Sequence, residues 1–177
     1  MRFVTHLVAQ VLVRPKRFWR GVQNHPRQKR RIVQNARILL ADDHKEIRDK
    51  VRRYLEAEFD VIDAVENGRA LLDAAAMSDP DVCLLDISMP ELDGIETANQ
   101  LKENGSKAKV IFLTVHEDSD FLQAALKTGA SGYVIKRRMA SDLNHAVKEA
   151  LAGRIFISSS VVSNARVDQD DIPKPAA

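Results

Sequence analysis

The sequence predicts an α/β fold: a doubly wound, flavodoxin-like sandwich with five parallel strands in the order 2-1-3-4-5 and five helices covering both faces. Short apolar runs at residues 36–41, 61–65, Val82–Leu85, 110–113 and 133–135 alternate with stretches of helical periodicity. Most of these runs are apolar throughout, as expected of strands covered by helices on both sides. Four of them stop on a polar residue, so the strand ends should share one edge rich in functional groups.

Residues 36–41 (ARILLA) form the first run and end at Asp42-Asp43. Ile47, Val51, Leu55 and Phe59 then recur every four residues with charges between them, which describes one buried face of a helix. Residues 61–65 are a short β-type run. Leu71, Leu72 and Ala75 mark a second helix, ended by Ser78-Asp79-Pro80. Val82–Leu85 stops at Asp86. Gly94–Glu103 places Ile95, Ala98 and Leu101 on one helical face, and residues 110–113 stop at Thr114. Residues 121–128 are a short helix closed by Gly129, a natural residue just past a helix end. Residues 133–135 stop at Lys136, and Leu143, Val147, Ala150 and Leu151 give a last helix ended by Gly153. From Arg154 the chain drifts into a Ser-rich, then acidic and Pro-containing stretch that reads as a frayed tail. No internal repeat interrupts the pattern.

A chain of 177 residues accommodates one ordinary domain with tails: a basic, disordered arm at 1–35, a domain at 36–157 and a tail at 158–177. The apolar fraction of 45% is enough for a packed core. The lone cysteine, Cys83, lies in an apolar run and reads as a core residue in a reducing compartment. Ten of the 27 Lys/Arg and none of the 25 Asp/Glu fall in the first 41 residues, leaving 17 basic against 25 acidic residues, a net of −8, in the rest. The chain is an acidic body with a basic arm.

No apolar stretch reaches the ~18 residues of a membrane span. Residues 3–13 are apolar but short, and basic residues follow rather than precede them, unlike a secretory signal. A cytoplasmic location is expected. Lys16-Arg17-Phe18-Trp19-Arg20 and Gln28-Lys29-Arg30-Arg31 suit contact with nucleic acid. Phe3, Leu7, Val8, Val11 and Leu12 could lay an apolar face on an anionic membrane. A solvated arm, or an over-long start to the reading frame, outweighs both.

In open parallel sheets the functional crevice lies at the carboxyl ends of the strands. There the sequence places Asp42 and Asp43, Asp86, Thr114 and Lys136, from four separate strands. Singly, Asp43 reads as a helix N-cap, Asp86 as a turn former, Thr114 as a strand residue and Lys136 as a surface charge. Together they suit phosphoryl transfer. Crowded carboxylates become tolerable around a hard cation such as Mg²⁺, which takes oxygen ligands. With the metal on Asp43 and Asp86, Asp86 would attack a phosphoryl group whose oxygens Thr114 and Lys136 bind, since this chemistry is mainly positioning and charge stabilisation.

Ala41-Asp42-Asp43-His44, the segment from Leu84 through Asp86, Ser88 and Pro90 to Gly94, Phe112-Leu113-Thr114, and the segment from Gly129 through Tyr133 to Lys136 resemble the signature blocks of bacterial two-component response-regulator receiver domains. The Asp-Asp-His start and Gly-Ala-Ser-Gly-Tyr block are most similar to the NarL/FixJ type. The resemblance covers about residues 36–157 and implies Asp86 as phosphoacceptor. It also implies Asp43 as direct Mg²⁺ ligand, Asp42 as a ligand acting mainly through water, and the Ser88 backbone carbonyl as a further ligand. Thr114 and Lys136 match the pair that bind the phosphoryl oxygens, and Tyr133 matches an aromatic switch that turns inward as Thr114 moves. Ser88 and His116 match side chains that tune hydrolysis of the acyl phosphate. The family often has a cis-proline after this lysine. Here Arg137 follows, and with a cis non-proline bond costing ~3 kcal/mol, none is expected.

The implied partner is a histidine kinase or histidine phosphotransfer protein, and residues 119–153 are the implied output surface and homodimer face. The expected role is a stand-alone signalling phosphoacceptor that catalyses only its own phosphorylation and slow autodephosphorylation. The alternative is the receiver part of a transcriptional regulator whose DNA-binding output is lost or supplied by another chain. Residues 158–177 are too few and too polar for a helix-turn-helix domain. An aspartate-nucleophile phosphatase is the competing enzyme class. It requires an acidic residue two positions after the nucleophile, where this chain has Ser88.

Overall fold

The structure, a computed structural model, describes residues 36–162, so the basic arm and residues 163–177 of the tail lie outside the described residues. Its elements are β1 (Arg37–Ala41), α1 (Lys45–Leu55), β2 (Asp60–Val65), α2 (Gly68–Ser78), β3 (Val82–Leu85), α3 (Gly94–Glu103), β4 (Lys109–Thr114), α4 (Ser119–Lys127), β5 (Gly132–Ile135), a 3₁₀ turn (Lys136–Arg138), α5 (Met139–Leu151), β6 (Phe156–Ile157) and α6 (Ser159–Val162). All strand pairs are parallel, in the order β2-β1-β3-β4-β5-β6. The expected order 2-1-3-4-5 holds, with one strand more than expected.

Because side chains alternate along a strand, each apolar run feeds two cores. Leu39, Cys83, Leu85, Phe112 and Tyr133 face Leu71, Leu101, Leu122 and Leu126 of α2, α3 and α4. Ile38, Leu40, Val82, Leu84, Ile111, Leu113 and Val134 face Val51, Leu55, Leu143 and Val147 of α1 and α5. Burial on both faces is the reason these strands carry so little polar alternation.

Helix ends follow local chemistry. Asn67, Asp93 and Asp118 cap α2, α3 and α4, each accepting a backbone N–H from the residue three positions on. Asp79 adopts a left-handed conformation after α2, just ahead of Pro80, and Gly129 (φ +90°) turns the chain after α4 as expected.

Two expectations differ from the structure. Phe59 continues the four-residue period but lies past the end of α1 at Leu55, although it is buried and its amide still donates to the Leu55 carbonyl at 2.9 Å. The tail begins ordered rather than frayed. β6 adds to the β5 edge, the Ser158 amide donates to the Tyr133 carbonyl at 2.9 Å, and Val161 is fully buried. A buried polar network explains the docking: Ser158 Oγ accepts the Ile135 amide (3.2 Å) and donates to Asp142 Oδ2 (2.7 Å).

Candidate functional site

Strand register assembles the site. Ala41 pairs with Leu85, so the residues that follow them, Asp42 and Asp86, leave the sheet side by side. The Asp86 amide donates to the Ala41 carbonyl at 2.9 Å and the Asp42 amide to that of Val65 at 3.1 Å. Thr114 pairs with Ile135, which delivers Lys136 to the same edge.

Gly94 makes the crowding at Asp86 possible. Its amide donates to the Ile87 carbonyl at 2.9 Å, and a Cβ there would collide with the Asp86 carbonyl oxygen and lie 2.9 Å from its carbonyl carbon. Only glycine lets the start of α3 approach the strand end this closely.

Asp42 and Asp86 are almost wholly buried, and Lys136 is 10% exposed. Lys136 Nζ lies 2.7 Å from Oδ2 of both carboxylates. It donates a hydrogen bond to Asp86. Its approach to Asp42 is an ion pair off the hydrogen-bond axis, which leaves Asp42 Oδ2 with no aligned donor. The other Asp42 oxygen accepts the His44 amide at 2.9 Å. Burial pushes the Asp86 carboxyl above its ordinary value, and the negative charge of Asp42 adds to that, while Lys136 offsets part of it. Burial opposes the Lys136 charge, but its contacts with Asp42 and Asp86 prevail and hold its ammonium above the usual lysine value.

Asp43 is about one-third exposed, and its Oδ1 lies 2.6 Å from His44 Nδ1. It is not a helix cap: His44 occupies that position in α1. Asp42, Asp43, His44 and Asp86 each offer a ligand atom, and the four atoms lie within 4.8 Å of one another. Three carboxylates crowded beside a single ammonium form a hard donor set that suits a divalent cation such as Mg²⁺. His44 was not singled out from the sequence as a ligand. Its place directly after the acidic pair was the available signal.

The remaining predicted residues meet around His116. Its Nε2 is 2.9 Å from Ser88 Oγ, its amide donates to Thr114 Oγ1 at 3.2 Å, and its carbonyl accepts from Tyr133 Oη at 3.1 Å. The ring stacks on Phe121 of α4 at 3.9 Å between centroids. Thr114 is buried, and its hydroxyl accepts from His116, which leaves its proton free to donate. Tyr133 is already fully inward, where burial raises its phenol well above the ordinary value. Arg137 follows Lys136 without a cis peptide bond, as expected.

Residues 38–148 match the family model of the response regulator receiver domain. The chain is 37% identical over 129 residues to the transcriptional regulatory protein DegU of Brevibacillus brevis, covering 72% of this chain and 55% of that protein. It is 34% identical over 128 residues to the nitrate/nitrite response regulator protein NarL of Escherichia coli, covering 71% and 59%. It thus spans a little over half the length of these curated relatives. Among solved structures, the isolated receiver of RcsB from Salmonella enterica, in the presence of the phosphomimetic BeF₃⁻, superposes with a TM-score of 0.70 at 28% identity, covering 75% of this chain and 99% of that one. A matching family model over most of the chain, on this parallel sheet with these strand-end carboxylates, makes the chain a member of the response-regulator receiver family.

Proposed function

We propose that Asp86 accepts a phosphoryl group from a phosphohistidine on a histidine kinase or histidine phosphotransfer protein, as the receiving step of a phosphorelay. The observation that carries this is Lys136 bridging Asp86 and Asp42 at 2.7 Å, which places a fixed cation beside a carboxylate, Asp86, that burial and a like charge make more basic than usual. An Asp86 oxygen attacks phosphorus, the P–N bond of the donor breaks, and the imidazole keeps the electron pair and takes up a proton. Lys136 then has a phosphoryl oxygen to pair with in place of Asp86. Thr114 has a free hydroxyl proton to donate to another.

Asp42, Asp43 and Asp86, with the Ser88 backbone carbonyl, would hold Mg²⁺, which supplies charge neutralisation at the phosphoryl group. Adding about −2 of charge at the crevice biases a two-state equilibrium. The change is read out through Thr114, Tyr133 and Lys136 to α4, β5 and α5, the surface of residues 119–153 through which a homodimer would form. Ser88 and His116, joined at 2.9 Å, tune the lifetime of the acyl phosphate.

Incubation with a small acyl-phosphate donor and Mg²⁺, followed by intact mass, tests the proposal. One phosphoryl adduct is expected on the wild type and none on Asp86→Asn. An adduct that persists in Asp86→Asn overturns it. Continuous phosphate release at enzyme-like rates would favour a phosphatase.

A second reading, in which the receiver serves a DNA-binding regulator, is favoured by the relatives, one of which is named a transcriptional regulatory protein. Phosphorylation-dependent DNA binding by an assembly containing this chain is its test.

A further inference from the structure

The loop between β4 and α4 (residues 115–118) is fastened on both flanks by adjacent residues. On one side His116 holds Ser88, two residues past Asp86. On the other, Glu117 meets Arg137, the residue that stands where the family often has proline. Arg137 Nη2 donates to Glu117 Oε2 at 2.6 Å, and Nη1 pairs with Oε1, so the guanidinium grips the carboxylate with both prongs of its fork. Glu117 is three residues past Thr114, and Arg137 is directly after Lys136. The pair therefore ties together the loops that carry the two groups facing the phosphoryl oxygens. Tyr133 Oη, bonded to the His116 carbonyl, pulls the same loop toward β5. Arg137 itself is largely exposed, whereas Glu117 is mostly covered by its surroundings. The contact is an outer fastening rather than part of the core.

We propose that Arg137 is a positioning residue for the phosphorylated state: its ion pair with Glu117 keeps the β4–α4 loop closed over Asp86 and slows hydrolysis of the acyl phosphate. This rests on Asp86 being the phosphoacceptor. In hydrolysis a water oxygen bonds to phosphorus and the P–O bond to Asp86 breaks. Asp86 leaves as carboxylate with the electron pair, and inorganic phosphate carries the water's protons. Water must reach phosphorus on the side away from Asp86, under the loops that carry Thr114 and Lys136. A loop held at both flanks leaves less room for that approach than one held only through Ser88.

The experiment uses the full chain, phosphorylated with a small acyl-phosphate donor and Mg²⁺, freed of donor, and followed by intact mass as the adduct decays. Exposed ion pairs are worth less than about 1 kcal/mol, so Arg137→Gln and Glu117→Gln should each speed decay by about two- to five-fold. The double variant should match the singles, and Arg137→Lys, which keeps charge but loses the fork, should fall between. The exchanged pair Glu117→Arg/Arg137→Glu should return the decay rate to within about two-fold of wild type. Tm should be nearly unchanged throughout, because Arg137 is largely exposed and the pair lies outside the core. Decay rates indifferent to both single variants, a failure of the exchanged pair to restore them, or a loss of Tm that tracks the rates would overturn the clasp while leaving Asp86 as phosphoacceptor. Absence of any adduct on the wild type would overturn both.

Discussion

Asp86 and Asp142 are both buried carboxylates paired with a cation, yet they are held in opposite ways. At Asp86, burial raises the carboxyl pKa, Asp42 raises it further, and one ammonium shared between two carboxylates does not make up the difference. At Asp142, burial again acts upward, but Arg138 (3.0 and 3.3 Å), Ser141 (2.6 Å) and Ser158 (2.7 Å) all donate, and the carboxyl sits below its ordinary value. The number of donors separates the two. Asp142 has its oxygens satisfied and serves to dock the C-terminal segment. Asp86 takes its side-chain hydrogen bond from an ammonium that it shares with Asp42, so an incoming phosphoryl group and cation would meet two carboxylates with fewer donors than Asp142 has.

The most severe way to break this contrast is to remove the shared cation. Lys136→Met leaves two nearly buried carboxylates facing each other, and losing one partner of a buried ion pair typically costs about 3 kcal/mol or more. Urea unfolding at pH 7 should show a loss on that order. Adding Asp42→Asn to the Lys136→Met chain should recover much of it by removing the like charge. If Lys136→Met destabilises no more than the same change at exposed Lys107, the carboxylates are better solvated than their burial implies.

Gly94→Ala should rank next. Overpacking typically costs about 1–3 kcal/mol, and here the added methyl strikes the Asp86 carbonyl. Both the Tm and the rate of adduct formation should fall, whereas Gly105→Ala, with open space around it but a left-handed backbone (φ +75°), should lower the Tm alone. Equal effects on the rate from both substitutions would show that the approach of α3 does not position Asp86.

These two regions were unequally legible in the sequence. The strand-end site could be read because each fully buried strand announces its own end: an apolar run stops on Asp42, Asp86, Thr114 or Lys136, and parallel register brings those ends together. The order of the first five strands followed from the same pattern. His44 was harder to find, because its nearness to Asp43 depends on side-chain geometry at the start of α1. Phe59 misled because helical spacing continued one turn beyond the helix. The docking of Ser158 on Asp142 spans 16 residues and depends on a two-residue strand, so no periodic signal could reveal it. Arg137 was visible only as a departure from a pattern. Its partner Glu117 lies 20 residues away, and the contact exists because β4 and β5 are neighbours in the sheet.

The smallest expected effect bears on the satisfied carboxylate. Asp142 titrates below its ordinary 3.8 in the folded chain and returns to that value on unfolding, so the unfolded chain binds the proton more tightly. Its contribution to stability is therefore complete at pH values above 3.8 and is lost as pH falls through the lower, folded value. Asp142→Asn lacks this component, so the stability gap between it and the wild type should narrow steadily below that pH. Ser158→Ala removes one donor to Asp142 and the acceptor of the Ile135 amide, and should cost at least about 1 kcal/mol at pH 7. With fewer donors the folded Asp142 should titrate closer to 3.8, so in Ser158→Ala the Asp142-dependent loss should be smaller, and complete at a higher pH, than in the wild type. Urea unfolding of the three proteins across this range measures the gap. Parallel stability curves would mean that Asp142 is already balanced by burial, and that donor number is not what separates it from Asp86.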